Sequence, residues 1–337
     1  MNRCIKWNWL FLIASLWLLA ACDAIHNDHT SNSKRILQNP PYAGLTDSIE
    51  KFPGDPALYL QRALLLSQHN RHEIATADYK KSWELRPEAN TALEYISNLL
   101  MVDEVNDAVS LLKKGMQQYP DNPEFSRRLS EVYSQTGKNE EALQQYNSIL
   151  EKDSSNFEIW YDKGMVLAQL KDTSGAIEAL ERSFSLQPIN YSGLALATLY
   201  ASAKNPRALE ICDLLLANDT AGQQTDPIFM KGVYYSETKQ YDKALGQFDE
   251  CISRDWKMTD AYIEKGIVLF EQKKYSSALE IFKLASTVSN TNADAYFWAA
   301  RTYEALGKKQ EAVTNYQRAL SLDKNFGEAW EALQRVK

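Results

Sequence analysis

The sequence predicts an all-α protein, a stack of about eight two-helix units with a capping helix at each end. Three observations predict it. Ala75, Ala108, Ala142, Ala176, Ala208, Ala244, Ala278 and Ala312 recur at spacings of 33, 34, 34, 32, 36, 34 and 34 residues. Each follows a second small residue by 11 or 12 positions: Ala63, Ser97, Ser130, Gly164, Ala197, Gly232, Gly266 or Ala300. Prolines fall between units, at Pro53, Pro56, Pro87, Pro120, Pro123, Pro188 and Pro227, where helices must stop. No sustained period-two alternation appears in this region, so no sheet is expected.

Each unit reads as helix A, a short turn and helix B. Residues three or four apart share a helix face, so a small residue on each helix lets the two backbones approach closely. A bulky neighbour one turn along fills the space beside the contact. On A these are Leu66, Leu100, Tyr133, Leu167, Tyr200, Tyr235, Leu269 and Tyr303; on B, Tyr79, Leu112, Tyr146, Leu180, Cys212, Phe248, Phe282 and Tyr316. The second and fifth units read as lacking one residue in the A–B turn, the fifth carrying Pro206 there. The stretch Ala217 to Asp226 is long and predicts a kink in the stacking.

The ends read as caps. Phe52-Pro53-Gly54-Asp55-Pro56 parallels Tyr119-Pro120-Asp121-Asn122-Pro123, which makes Tyr42 to Phe52 a lone B-type helix within a half-repeat at 42–55. The repeats then run over 56–325. A last helix at 326–337 should turn Trp330, Leu333 and Val336 inward and Glu331, Gln334, Arg335 and Lys337 outward.

The repeat resembles the tetratricopeptide repeat, whose signature is W-x2-L-G-x2-Y, then A-x3-F, then A and P. Trp160, Gly164, Leu167, Ala176, Leu180 and Pro188 carry the likeness in one unit; Tyr262, Gly266, Leu269, Ala278, Phe282 and Ala285 carry it in another. Lys163, Lys231 and Lys265 depart from it, standing where the family has Leu. Their aliphatic stems can pack while the amines reach out. The resemblance implies an α-solenoid, a right-handed superhelix whose A helices line a concave face for protein or peptide partners.

Ahead of the repeats, Arg3 and Lys6 precede an apolar run from Trp7 to Ala21 that is shorter than the ~20 residues a membrane span needs. Residues 1–21 therefore read as a signal peptide. Leu19-Ala20-Ala21-Cys22 resembles the bacterial lipobox, which implies lipidation at Cys22 and cleavage before it. Residues 22–41 are polar, end in Pro40-Pro41 and read as a flexible spacer. The expected place is a bacterial cell envelope, with the outer membrane ranked before the inner, although Asp23 resembles an inner-membrane retention signal of enteric bacteria.

Removing Arg3 and Lys6 takes the formal charge from −7 to −9, a poor match to nucleic acid. Cys212 and Cys251 fall on core positions and read as buried thiols, with a disulfide as the alternative in an oxidising compartment. His69 and His72, in the first A–B turn, lack a carboxylate or thiol at ligand spacing. Carboxylates read as solvated helix faces. No catalytic constellation, cofactor site, metal site or small-molecule substrate is expected.

The residues just after the core positions of the A helices are expected to face the groove. They are polar in the third unit, as Arg127 and Glu131, and apolar later: Tyr161 and Met165; Phe229 and Val233; Ile263, Ile267 and Phe270; Phe297. Such a groove suits a peptide with hydrophobic anchors. The expected function is a lipid-anchored scaffold or adaptor in the envelope. A periplasmic chaperone is the alternative, and a regulatory subunit of an envelope enzyme a more distant one.

Overall fold

The computed structural model describes residues 32–336; residues 1–21 and Cys22 lie outside them. Among the described residues every regular element is a helix. After a helical stretch at 32–37 comes α1 (Ala43–Lys51), then eight A–B pairs. Pair one is α2 (Pro56–Gln68) with α3 (His72–Leu85), and pair two α4 (Ala89–Met101) with α5 (Val105–Gln118). Pair three is α6 (Pro123–Gln135) with α7 (Asn139–Lys152), and pair four α8 (Phe157–Gln169) with α9 (Thr173–Leu186). Pair five is α10 (Asn190–Ser202) with α11 (Arg207–Asn218), and pair six α12 (Asp226–Glu237) with α13 (Tyr241–Arg254). Pair seven is α14 (Thr259–Glu271) with α15 (Tyr275–Val288), and pair eight α16 (Ala293–Ala305) with α17 (Lys309–Leu322). The helix α18 (Gly327–Val336) follows. The chain forms two compact units that divide within α7, between Gln145 and Tyr146.

All eight A–B turns close in the same way. One residue takes positive φ: Asn70, Asp103, Gly137, Lys171, Lys204, Lys239, Lys273 and Gly307, at 55–73°. The N–H after it reaches back to the carbonyl of the bulky A-helix residue, as Arg71 does to Leu66 (2.9 Å), Lys138 to Tyr133 (2.8 Å) and Lys308 to Tyr303 (2.9 Å). These are Schellman closures, which satisfy the last carbonyls of helix A and reverse the chain.

That geometry corrects the register of pair two. Glu104 N–H reaches the carbonyl of Leu99, not Leu100 (2.8 Å). Ile96 and Leu99 are buried at 0% and 1% exposure, whereas Ser97 is half-buried. Ile96 therefore occupies the close A–B contact, and the turn Val102–Glu104 has the ordinary length. The shortening in pair five is real but lies elsewhere. Pro206 delays the start of α11, which has 12 residues where α3 has 14. Between pairs five and six the chain 219–225 is braced by Arg254, which donates to the Gly222 carbonyl at 3.1 Å, and the A helices on either side of it touch.

The small residues do what their spacing implies. The eight B-helix alanines are at most 1% exposed. A Cβ on Gly232 would come within 2.5 Å of the Phe248 ring, and one on Gly266 within 2.4 Å of Phe282, so only glycine admits these rings.

At the start of the first unit, Phe52 and Tyr119 share the same backbone angles, φ −130° and ψ 65°. The folded part begins before residue 42, inside the stretch read as a spacer. Ile36 and Leu37 pack against Tyr42, Leu66 and Tyr79, and Thr46 Oγ1 donates to the Leu37 carbonyl at 2.7 Å. A buried ion pair of Arg62 with Asp78 ties α2 to α3, and Arg62 Nη1 also donates to Thr46 Oγ1 of α1 at 2.9 Å.

In the second unit α18 buries Ala329, Ala332, Leu333 and Val336. Trp330 is 57% exposed and points outward, a correction to the inward stripe read from the sequence. Lys231 and Lys265 pack their stems and reach Asp213 (2.7 Å) and Asp249 (2.5 Å) on the preceding B helices. Lys163 lies over the Trp160 ring at 4.9 Å. Cys212 and Cys251 are buried free thiols, which burial pushes up to about 12.

Candidate functional site

All eight residues expected in the groove belong to the second unit, on the A helices of pairs four, six, seven and eight. The A helices of pairs five to eight touch in sequence, α10 with α12, α12 with α14 and α14 with α16. They therefore present one face.

Six of the eight residues stay half-buried: Tyr161, Met165, Phe229, Val233, Ile267 and Phe270. Tyr161 meets Tyr191 edge-on at 4.6 Å, and Tyr191 is itself 42% exposed. Phe229 and Val233 rest on Phe248 and Val268, and Ile267 and Phe270 on Leu269 and Phe282.

Ile263 and Phe297 are buried, at 7% and 4% exposure, and leave the candidate face. Ile263 is wedged at the seam of pairs seven and eight, in one cluster with Ala285 and Ala295. Phe297 sits under the C-terminal helix, its ring 4.8 Å from Phe326 and 5.9 Å from Tyr316. Both have the correct helical offset, but pair eight covers Ile263 and the C-terminal segment with Phe326 and α18 covers Phe297.

Two features escaped the sequence reading. One is Trp298, whose ring meets Phe270 at 5.7 Å and Phe282 at 6.1 Å, with the Arg301 guanidinium 4.6 Å above it. The other is acidic. Asp260, Glu264 and Glu271 lie on α14 at intervals of four and seven, so they share a helix face with Ile267. Glu237 ends α12 and Asp294 lies in the first turn of α16. Burial, and then the Asp260, Glu237 and Glu271 carboxylates, push Glu264 up from 4.5 to about 7. Burial, and then Asp260, Asp323 and Glu328, raise Asp294 too. These carboxylates are therefore not all the dispersed, solvated charges that composition suggested.

The pH dependence follows with a definite sign. Between about pH 4.5 and 7 the folded protein keeps on Glu264 a proton that the unfolded chain has lost, so stability falls as pH rises through that window. Glu264→Gln should flatten this part of the melting-temperature profile and raise the melting temperature above pH 7. A mutant profile parallel to the wild type would contradict the assignment.

Elsewhere the chemistry is sparse. Among the described residues no three His, Cys, Asp or Glu side chains are placed to hold a metal ion. His69 and His72 are engaged through Nδ1, with the Leu65 carbonyl (2.8 Å) and Asn98 Oδ1 (3.2 Å). In the first unit an open cleft of about 470 Å³ is lined by Trp83, Tyr95, Lys80, Lys114, Glu84 and Asp107, among others. Its opposing charges select no ligand class.

One family model described as tetratricopeptide repeat matches residues 99–170 and 269–336, and a second such model matches 157–190. The chain is similar to the auxiliary subunit NAA15 of the N-terminal acetyltransferase A complex of Arabidopsis thaliana, 25% identical over 222 residues. That match covers 63% of this chain but only 24% of the plant protein. Among solved structures, a tetratricopeptide repeat protein from Parabacteroides merdae superposes with a TM-score of 0.63 at 19% identity, covering 74% of this chain and 98% of its own. PilW, a type IV pilus biogenesis factor, superposes with a TM-score of 0.53 at 18% identity, covering 64% and 97%. At these identities the structural likeness speaks for the fold alone.

Proposed function

The chain belongs to the tetratricopeptide repeat proteins, whose stacked helix pairs act as protein-interaction scaffolds, and we propose that this member is a lipid-anchored adaptor of a bacterial cell envelope. It captures a protein or peptide on the A-helix face of its second unit. The observation that carries this is the half-buried apolar set Phe229, Val233, Ile267 and Phe270 on adjoining helices. Large side chains left partly uncovered on one continuous face are the usual anchors of a peptide partner. No catalytic role is proposed, and the plant relative is itself an auxiliary subunit.

Attachment through Cys22 rests on the lipobox-like Leu19-Ala20-Ala21-Cys22 and the short apolar run before it. No helix among the described residues is long and apolar enough to cross a membrane. Two or more acyl chains, at ~0.8 kcal/mol per buried methylene, would give stable anchoring. Intact mass of the protein from a bacterial membrane fraction should show an acyl adduct on Cys22 that Cys22→Ser lacks. An unmodified, full-length wild-type chain would refute it.

The adaptor reading is tested by cross-linking in cells and pull-down, with Phe229→Ala combined with Phe270→Ala. The double variant should fold and lose its partner by about tenfold or more. Retained capture would exclude this face. Broad suppression of aggregation of unrelated clients, with no stoichiometric partner, would favour a chaperone.

A further inference from the structure

The A-helix face of pairs six to eight has a second property besides being apolar: it is strongly acidic at its centre. Resting on the reading that this face docks a partner, we propose that its occupant is a cationic peptide segment in which lysine or arginine alternates with apolar residues. The apolar places are those of Phe229, Val233, Ile267 and Phe270, all half-buried and seated on the core of pairs six and seven. The cation places are set by Asp260, Glu264 and Glu271 on α14, with Glu237 and Asp294 on the flanking A helices.

Charge balance selects this occupant. Neither Lys204 nor Arg301 neutralises this centre. Lys204 approaches Glu237 only at 3.9 Å. The Arg301 guanidinium is held over the rings of Trp298, Phe270 and Phe297, at 4.6, 5.5 and 5.8 Å. Glu271 accepts a hydrogen bond from the Tyr241 hydroxyl, which leaves its charge in place. Glu264 is half-buried beside Asp260, Glu237 and Glu271; burial raises its pKa first and these like charges add to the rise. An arriving ammonium or guanidinium group relieves their repulsion, whereas a carboxylate on the partner adds to it. A metal ion fits less well, because no three of these groups converge on one point. Their spread over three helices suits charges distributed along a chain.

The test uses short fluorescent peptides of three compositions, alternating leucine with lysine, with glutamine or with glutamate, against the whole protein. The Lys/Leu peptide should bind about tenfold or more tightly than Gln/Leu, and Glu/Leu should bind least. Asp260→Asn with Glu264→Gln should remove that preference while the melting temperature is unchanged or higher, since like-charge repulsion is relieved. Glu280→Gln, on the B helix α15, should leave binding as it was. If Gln/Leu binds as tightly as Lys/Leu and Phe229→Ala with Phe270→Ala weakens both, the docking face stands and the cationic preference falls. If neither variant pair changes Lys/Leu binding, both readings fall. If the acidic pair loses melting temperature and binding together, the carboxylates are structural and the inference is overturned.

Discussion

Arg62→Met should destabilise the first unit by about 3–5 kcal/mol, the usual cost of breaking a buried ion pair by removing one partner. The Arg62 guanidinium and Asp78 carboxylate are 9% and 8% exposed, and meet through two bonds, Nε to Oδ2 at 2.7 Å and Nη2 to Oδ1 at 2.8 Å. Without Arg62 the Asp78 charge stays between α2 and α3 with no cation beside it. Nη1 also holds Thr46 of α1, so the cap loses a tether. Two controls separate these effects. Arg62→Met with Asp78→Leu should recover most of the loss, because an apolar pair of similar volume replaces the ions without stranding either. Arg254→Met should cost less than ~1 kcal/mol, since its partner Glu250 is 43% exposed, solvent already screens the pair, and its bond to the Gly222 carbonyl is also exposed. Urea unfolding of the single and double variants gives the coupling energy directly. A loss below that of Arg254→Met would mean that Asp78 is not stranded.

What the sequence discloses depends on how strictly a position is constrained. The B-helix alanines are legible because no larger side chain fits there, and their period alone counts the pairs. The A–B turns are less legible. Only Gly137 and Gly307 advertise positive φ; at the other six turns Asn, Asp or Lys adopts it under tertiary constraint. Pair two misleads because Ile96 breaks the small-residue rule at the helix contact, so Ser97 looked like the equivalent position one residue on. In α18 the indole of Trp330 outweighs two alanines in any hydrophobic count. The buried stripe nevertheless runs through Ala329, Ala332, Leu333 and Val336, one residue away. The acidic centre was hidden for a different reason. A carboxylate looks the same in sequence whether it faces water or three other carboxylates across two helices. Ile263 and Phe297 could not be told from Phe229 and Phe270 by helical offset, because coverage is supplied by the element that follows, pair eight for Ile263 and α18 for Phe297.

That last distinction has a large measurable consequence. Phe297→Ala should destabilise the second unit by about 3–5 kcal/mol, as expected for truncating a covered aromatic ring in a packed core. Its ring touches Tyr316 and Phe326, so the cavity would open beneath α18 and loosen the end of the stack. Nearest-neighbour stacking should confine the damage to pairs seven and eight and α18, read as lost amide protection there before pairs four and five. Phe270→Ala should cost about 1–2 kcal/mol, because the half-buried ring has less surface to return to water. It should instead release Trp298 and Arg301, which rest against it, and lower partner affinity. The two variants thus separate the readouts: one lowers the melting temperature strongly, the other lowers capture with a modest change in melting. Equal melting temperatures for both would show that Phe297 is as uncovered as Phe270 and would return it to the docking face.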